Sequence, residues 1–241
     1  MITIKNLKKH FGGLKAVDDI SIEIPKGKVT AIIGPNGSGK TTLFNLISGI
    51  IRKDSGSIYL DKKNISTKKD FDRSKLGISR TFQHVRLFKN LSIKEHFEVA
   101  LEDDNNLIKK IFSLKEDNSK KIEKIMDFIG LDKKLDTKAN DLSYGQRKLL
   151  DMGIGIIKKH EVLMLDEPVA GINPRLRRQI KNLIKLLRDN DETIIIIEHD
   201  MEFVMDMADK VICLDQGKII FEGNARDAQQ NKKVMEAYLG K

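Results

Sequence analysis

A glycine-rich segment near the amino terminus constrains this chain more than any other feature of its sequence. Residues 34–41 read Gly-Pro-Asn-Gly-Ser-Gly-Lys-Thr: a glycine, four residues, then glycine, lysine and a hydroxyl residue. The segment lies between an apolar run, Val29–Ile33, and a stretch with helical spacing over residues 41–50. A loop in this position offers successive backbone N–H groups and a helix N-terminus to an anion. The sequence therefore predicts a nucleotide phosphate site.

The residue types in this loop suit a nucleoside triphosphate with Mg²⁺. Lys40 would reach the β- and γ-phosphates, and the Thr41 hydroxyl would ligate the metal. A glycine-rich turn matches this pattern by chance in roughly one per cent of chains of this length. The strand before the loop and the helix after it make a chance match less frequent still.

Two further apolar runs end in residues that can act on phosphate. Asp166 and Glu167 follow Val162–Leu165, and His199 closely follows Ile194–Ile197. A helix-like stretch separates the two runs, which predicts a parallel sheet covered on both faces. Ligands bind at the carboxyl ends of such strands. Each residue alone has an ordinary structural explanation, but together they predict a hydrolytic site in which Asp166 is linked to Mg²⁺, Glu167 polarises water and His199 contacts the γ-phosphate.

The remaining periodicity predicts an α/β fold with a helical insertion. Alternating isoleucines predict half-buried strands within residues 1–33, and residues 57–60 form another short strand. Between residues 84 and 159 the apolar residues fall at helical intervals. Residues 211–221 predict a hairpin around Gln216 and Gly217.

Composition excludes several classes of protein. A single cysteine, Cys213, rules out disulfide frameworks and cysteine-based zinc sites. The longest apolar runs have four residues, whereas a bilayer span needs about 20, and the amino terminus lacks a signal region. We therefore expect a cytoplasmic chain that does not itself cross a membrane.

The formal net charge of +9 leaves two interpretations open. A basic patch could face nucleic acid or an anionic membrane, or the surface could simply be rich in solvated lysine. Aromatic residues make up 5% of the chain and tryptophan is absent. Because base-stacking surfaces need aromatic side chains, we expect no nucleic-acid partner.

A second glycine-containing motif identifies a family. Residues 142–146 read Leu-Ser-Tyr-Gly-Gln and precede a helix that runs to about Ile157. Ser143 suits an N-cap, and Gly145 permits close approach of an anion. Alone this segment is simply a capped helix. With the phosphate loop, Asp166-Glu167-Pro168 and His199 in this order, it resembles the signature motif of ABC-type ATPases, and the resemblance covers nearly the whole chain.

The resemblance implies one ABC ATPase cassette over residues 1–241, with a P-loop NTPase core whose mainly parallel sheet is covered by helices. It also implies an N-terminal antiparallel β subdomain. The core would comprise residues 1–83 and 160–241, and the helical subdomain with the signature would comprise residues 84–159. The implied cofactors are ATP and Mg²⁺. Two cassettes, identical or closely paralogous, would form a head-to-tail dimer in which each ATP lies between one phosphate loop and the other signature.

The resemblance also assigns site residues. Phe11 would stack on adenine, although a core phenylalanine is the alternative. Gln83 would contact Mg²⁺ and water and link to a transmembrane partner, so Glu167, His199 and Gln83 form the catalytic set and Thr41, Gln83 and Asp166 the metal set. The nucleotide-binding set is Phe11, Gly34, Pro35, Asn36, Gly37, Ser38, Gly39, Lys40, Thr41, Thr42, Ser143, Tyr144, Gly145 and Gln146.

Three positions depart from the commonest family pattern: Phe11 replaces a tyrosine, Tyr144 a glycine and Asn173 an aspartate. The resemblance implies that the changes at Tyr144 and Asn173 alter detailed contacts across the dimer. Glu167 is present, which favours a hydrolysing cassette over one that only binds nucleotide.

Finer motifs resemble ATP-binding subunits of branched-chain amino acid importers. They are residues 80–88, the Tyr144 variant of the signature, and the ending Glu236-Ala237-Tyr238-Leu239-Gly240. ATPases of lipopolysaccharide export and of urea or amide importers are similar, and a soluble ABC ATPase acting on nucleic acid is a distant alternative. The implied partners are permease subunits that dock near residues 84–98 and, indirectly, a solute-binding protein. The chain would then be peripheral on the inner face of the membrane.

Overall fold

The computed structural model describes residues 1–82, 85–101 and 118–239, which belong to two compact units. Unit 1 comprises Met1–Arg80, His160–Pro168 and Ile184–Lys241, and unit 2 comprises Thr81–Lys159 and Val169–Leu183. The domain boundaries expected from the sequence, a core of residues 1–83 and 160–241 and a helical subdomain of residues 84–159, remain a prediction.

Unit 1 contains the strands that the described part of the chain forms. In chain order they are β1 (Ile2–Phe11), β2 (Leu14–Ile24), β3 (Val29–Ile33), β4 (Ser55–Leu60), β5 (Lys63–Asn64), β6 (Ile78–Arg80), β7 (Val162–Asp166), β8 (Ile194–Ile197), β9 (Lys210–Asp215) and β10 (Lys218–Gly223). One sheet has the order β2-β1-β4-β5 and is antiparallel, and the other has the order β10-β9-β3-β8-β7-β6.

The second sheet is parallel except at β10, which pairs antiparallel with β9 as the predicted hairpin. All residues of β3, β7 and β8 are buried. This explains why these strands read as continuous apolar runs, since a sheet covered on both faces exposes neither set of alternating side chains. The predicted α/β class, the parallel sheet and the N-terminal antiparallel sheet are confirmed.

Some of the helices lie between these strands in unit 1, and others belong to unit 2. In chain order they are α1 (Lys40–Ser48), α2 (Asp70–Lys75), α3 (Ile93–Leu101), α4 (Ser119–Ile129), α5 (Tyr144–Ile157), α6 (Pro174–Asp189), α7 (Met201–Met207), α8 (Ala225–Gln230) and α9 (Lys232–Leu239). A 3₁₀ turn, Ala139–Asp141, precedes α5. The described part of residues 84–159 contains α3, α4 and α5 joined by loops. Leu107 and Ile111, which belong to the predicted helical stretch, lie outside the described residues.

The alternation of β3 divides the core of unit 1 into two hydrophobic clusters. Ile32 packs with the antiparallel sheet and with Leu43 and Phe44 of α1. Ala31 and Ile33 point the other way and pack with side chains from α7, α8 and α9. Both faces of β3 are therefore fixed, which holds the loop that follows it.

A buried arginine holds the far end of α1. The guanidinium of Arg73 donates to the carbonyl oxygens of Leu46 and Ile47, at 2.6 and 2.7 Å. These carbonyls lie in the last turn of the helix, where backbone acceptors lack partners within the helix. Burial lowers the pKa of Arg73 to about 10.

None of the helices in the described part of the chain has the length and the apolar composition that a membrane span needs.

Candidate functional site

The phosphate loop joins β3 to α1 and depends on glycine at two positions. Gly34 has φ +143° and Gly39 has φ +105°. A Cβ on Gly34 would collide with the backbone carbonyl of Leu214, and one on Gly39 with that of Ala16. The loop is therefore wedged against the end of β9 and the N-terminal sheet. Close backbone packing, as well as approach to a ligand, requires these glycines.

The Lys40 side chain lies across the loop. Its Nζ donates to the carbonyl oxygens of Gly34 at 2.8 Å and Pro35 at 2.9 Å. Burial lowers the pKa of Lys40, while the nearby carboxylates of Glu167 and Asp166 raise it. Both predicted carboxylates therefore act electrostatically on this lysine.

The loop combines an unpaired hydroxyl with exposed residues, which suits a bound phosphate. Ser38 Oγ is buried and has no hydrogen-bond partner among the described residues. Asn36, Gly37 and Thr41 are exposed, and Thr42 is half-buried. An unpaired buried hydroxyl costs free energy, so Ser38 has a donor available for a phosphate oxygen.

The three predicted strand ends meet at one edge of the sheet. Ile197 of β8 pairs with Ile32 of β3 on one side and with Asp166 of β7 on the other. The phosphate loop and the Asp166-Glu167 pair therefore leave the sheet at the same level. This juxtaposition was predicted from the apolar runs and is confirmed.

A buried arginine, which the sequence analysis did not single out, holds the Asp166 carboxylate. Arg80 NH2 donates to Asp166 Oδ2 at 2.9 Å, and NH1 donates to Asn45 Oδ1 at 2.7 Å and Ser48 Oγ at 2.9 Å. Its guanidinium carbon lies 4.9 Å from the centre of the Phe44 ring. Arg80 thus ties α1 to the end of β7. The one sign of this role in the sequence is a basic residue immediately before the Thr81-Phe82-Gln83 motif.

Glu167 takes an unusual backbone conformation. Its φ is +48°, although it is not a glycine, and such conformations cost about 1–3 kcal/mol and concentrate at functional sites. The Glu167 N–H donates to the Ile197 carbonyl at 3.0 Å. His199 Nδ1 lies 3.9 Å from Glu167 Oε1, and the histidine side chain is 59% exposed. The structure brings the predicted water-polarising carboxylate and histidine together at the exposed edge.

The oxygen donors at this edge suit Mg²⁺. Thr41 and Asp166 supply hard oxygen atoms at this edge. This composition fits Mg²⁺, which retains waters and takes phosphate oxygens rather than filling an all-protein site. Gln83, predicted for both the catalytic and the metal set, lies outside the described residues.

Phe11 ends β1 with its ring half in solvent. The side chain is 50% exposed, and Lys9 Nζ lies 5.2 Å from the ring centre. The alternative interpretation of Phe11 as a core residue is therefore wrong. A half-exposed aromatic ring can stack on a planar base.

The signature segment forms the start of α5 in unit 2. Ser143 is the N-cap: its Oγ accepts from Gln146 N–H, and the Gln146 side chain accepts from Ser143 N–H. This reciprocal capping box was predicted in part, as the Ser143 N-cap. Tyr144 is 41% exposed, and Lys148 lies 5.9 Å from its ring centre.

A groove of about 700 Å³ opens at this segment. Residues 143–146 line it together with Lys133, Asn173 and Arg175. Asn173, which departs from the commonest pattern, accepts from Leu176 N–H through Oδ1 at 2.9 Å and so caps α6. Asparagine and aspartate both serve well at a helix N-cap, so this departure keeps the local fold.

Asp151 of α5 is a second residue that the sequence analysis missed. Its carboxylate accepts a hydrogen bond from the Phe82 backbone N–H, next to Gln83 in the chain. Burial raises the pKa of Asp151 to about 7, against the lowering effects of that bond and of Lys148. In the sequence this acid stands at a position of α5 flanked by apolar residues, which was its one visible signal.

Comparison with known proteins agrees with this geometry. A model of the ABC transporter family matches residues 17–170. The probable branched-chain amino acid transport ATP-binding protein LivG of Archaeoglobus fulgidus is 37% identical over 245 residues, covering 100% of this chain and 95% of that protein. LivG of Escherichia coli, described as a high-affinity branched-chain amino acid transport ATP-binding protein, is 32% identical over 249 residues, covering 100% and 98%.

A solved structure shares the fold along the whole chain. An ATP-binding cassette of an ABC transporter in its ADP conformation superposes with a TM-score of 0.85 at 36% identity, covering 100% of this chain and 99% of that one. The predicted P-loop NTPase fold and the predicted ATPase activity are thereby supported by both sequence and structure. The chain is an ATPase of the ABC transporter family and belongs to its LivG group.

Proposed function

We propose that this chain is the ATP-hydrolysing motor subunit of an ABC importer for branched-chain or other hydrophobic amino acids. The observation that carries the hydrolytic part is the meeting of Lys40, Asp166, Glu167 and His199 at one edge of the parallel sheet. The importer and its substrate class rest on the names of the LivG relatives.

In this proposal the phosphate loop binds the nucleotide and Lys40 moves from the loop carbonyls to the β- and γ-phosphates. Ser38 and the loop amides orient the phosphates, and Phe11 stacks on the adenine. Thr41 and Asp166, the latter held by Arg80, would hold Mg²⁺, which would supply charge neutralisation at the phosphates. Glu167 accepts a proton from the attacking water while His199 hydrogen-bonds the γ-phosphate.

The exposed signature segment supports a second cassette as partner. The capped start of α5 presents backbone N–H groups and a helix dipole toward an open groove. This arrangement suits the γ-phosphate of ATP held by another cassette, as in a head-to-tail dimer. ATP then favours the closed dimer and hydrolysis releases it, because ligand contacts shift the population.

The surface near residues 85–98 is proposed to receive a permease helix. Phe88 is 65% exposed, and its ring centre lies 6.2 Å from that of His96. An exposed aromatic side chain on a helical unit suits a partner that supplies an apolar helix face. Through the permease the chain would lie on the inner face of the membrane and act with a solute-binding protein.

The hydrolytic assignment is tested by Glu167→Gln. General-base catalysis contributes about 10²- to 10⁴-fold, so phosphate release should fall by about that factor while ATP still binds. Glu123→Gln, at an exposed position of α4, is the matched control and should retain wild-type turnover. Unchanged turnover in Glu167→Gln contradicts the assignment of this residue.

The transport assignment is tested by gentle solubilisation of native membranes and identification of the proteins that co-purify with the tagged chain. Two permease subunits and a second cassette, with ATP-dependent uptake of leucine, isoleucine or valine, support the proposal. The proposal is contradicted if the chain co-purifies with permease subunits of lipopolysaccharide export, with a urea or amide importer, or with nucleic acid in place of membrane proteins.

The docking surface is tested by alanine at Phe88 and Leu91, which should abolish assembly with the permease. Intact assembly of this variant contradicts the docking surface.

A further inference from the structure

The carboxyl-terminal helix α9 reaches the phosphate loop through one side chain. The Tyr238 hydroxyl accepts a hydrogen bond from the Gly34 backbone N–H at 2.9 Å. Gly34 is the first residue of the phosphate loop, and Tyr238 lies 204 positions later in the chain. Both residues belong to unit 1. In the sequence, the segment around Tyr238 shows only a family resemblance.

Gly34 occupies the point where regular pairing of β3 ends. Ile33 still pairs with Cys213 of β9, whereas the Gly34 N–H finds its acceptor in the Tyr238 side chain. Buried backbone N–H groups without an acceptor are costly and rare. The phenol therefore fixes the peptide group from which the loop turns away from the sheet.

The packing around Tyr238 holds its hydroxyl in place. Val234, one turn earlier on α9, is buried in the cluster that contains Ala31 and Ile33 of β3, and Tyr238 packs against the same cluster. Burial raises the pKa of Tyr238 to about 12 against the lowering effect of the hydrogen bond from Gly34, and Cys213 and Glu198 make smaller raising contributions. The phenol is consequently neutral at physiological pH. The Glu198 carboxyl belongs to the residue that precedes His199 in the chain. The same helix thus lies against the strand that carries the phosphate loop.

We propose that Tyr238 is a positioning residue of the nucleotide site: by accepting the Gly34 N–H it holds the phosphate loop in its binding geometry. This inference rests on the proposed binding of nucleotide by residues 34–42. A preorganised anion-binding loop loses less free energy when it orders around its ligand. Loss of the phenol oxygen should therefore weaken nucleotide binding, although Tyr238 does not itself touch the nucleotide.

The first test is the affinity for ADP of the full chain with Tyr238→Phe, which keeps the ring and removes the oxygen. A net hydrogen bond of about 1 kcal/mol corresponds to a 3- to 10-fold rise in Kd. The KM for ATP should rise more than kcat falls, because the loop binds the substrate and the reacting groups remain. Tyr59→Phe is the matched control: Tyr59 lies in β4 of the antiparallel sheet and its variant should bind ADP as the wild type does.

The second test observes Tyr238 without altering it. The chain has three tyrosines, so labelling the wild type with 3-fluorotyrosine gives three ¹⁹F resonances, and the one missing from labelled Tyr238→Phe belongs to Tyr238. This resonance should shift saturably with ADP. A tyrosine that merely packs the helix would give a resonance that nucleotide does not move.

The outcomes separate this inference from the proposed function. A wild-type chain that fails to bind ADP contradicts the proposed nucleotide site itself. Wild-type binding, together with a Tyr238→Phe affinity within twofold of it or a fluorine resonance unmoved by saturating ADP, contradicts the role of Tyr238 alone. A 3- to 10-fold loss in Tyr238→Phe and a shifted resonance support it.

Discussion

The phosphate-loop edge of unit 1 and the signature segment of unit 2 are both glycine-containing helix starts, yet they are built differently. The phosphate loop is wedged by backbone contacts at Gly34 and Gly39, and its neighbour Asp166 is tied to α1 through a buried arginine. The signature depends on a local capping box and opens onto a groove. The first site is organised by residues distant in the chain, and the second by residues within one helical turn.

The difference shows which kind of contact fixes the geometry of each site. Buried, long-range contacts hold reacting groups in place within one chain, which suits chemistry. A locally capped helix start can keep its shape while it faces outward, which suits binding to something supplied by a partner.

Removal of Arg80 should cost the most. Arg80→Met leaves the Asp166 carboxylate buried without this cation, and breaking a buried pair in this way costs about 3–5 kcal/mol. Urea unfolding should show that loss, whereas Arg52→Met, at an exposed position of unit 1, should leave stability nearly unchanged. Equal stabilities of the two variants would show that the phosphate-loop edge does not depend on this tie.

Alanine at Gly34 should be the next most damaging change. The new Cβ meets the Leu214 carbonyl and the backbone must keep φ +143°, so we expect a loss of at least about 2 kcal/mol. Gly37 also has positive φ, of +80°, but its Cβ would meet nothing within 4 Å. Gly37→Ala should therefore cost about 1–2 kcal/mol from backbone strain alone. Thermal unfolding of both variants measures the difference, and equal losses would argue against the wedge.

Asp151 should give unit 2 a stability that depends on pH. Its pKa in the folded chain is raised to about 7 from 3.8, so the folded state binds the proton more tightly than the unfolded state does. The stabilisation is complete below pH 4 and is lost as the pH rises towards 7, with a slope of at most about 1.4 kcal/mol per pH unit.

Urea unfolding from pH 5 to pH 8 checks this slope. Asp151→Asn should remove it, because an amide oxygen can still accept from Phe82 N–H without titrating. Asp127→Asn, at an exposed position of α4, should follow the wild type. If the stabilities of Asp151→Asn and the wild type change with pH in parallel, the raised pKa of Asp151 is contradicted.

The capping box should have the smallest effect on stability. Ser143→Ala removes one N-cap and should cost about 1 kcal/mol, which lowers Tm by about 2–4 °C in a chain of this size. Asn224→Ala removes a similar cap on α8, where Asn224 Oδ1 accepts from Asp227 N–H at 2.8 Å. The two variants should lose similar stability, but Ser143→Ala alone should also lower ATP turnover. Equal turnover would place the signature outside the active dimer.

Much of the phosphate-loop edge was predictable because its signals are local. A continuous apolar run predicts a doubly buried strand, and the residue after it must lie at the sheet edge, so Lys40, Asp166, Glu167 and His199 could be placed from their positions alone. Arg80 and Tyr238 could not, since each acts on a partner 86 and 204 positions away in the chain. No periodicity encodes which distant carboxylate or amide a side chain reaches.

Local sequence features predict the α/β class, the parallel strands, the phosphate loop and the capped signature helix, because glycine conformation, side-chain alternation and helix capping act between near neighbours. Three contacts depend on the folded chain: Arg80 holds Asp166, Asp151 binds the Phe82 amide, and the carboxyl-terminal helix supplies an acceptor to Gly34. These contacts arise when packing of the sheet and helices brings polar groups together away from water, where each must find a partner.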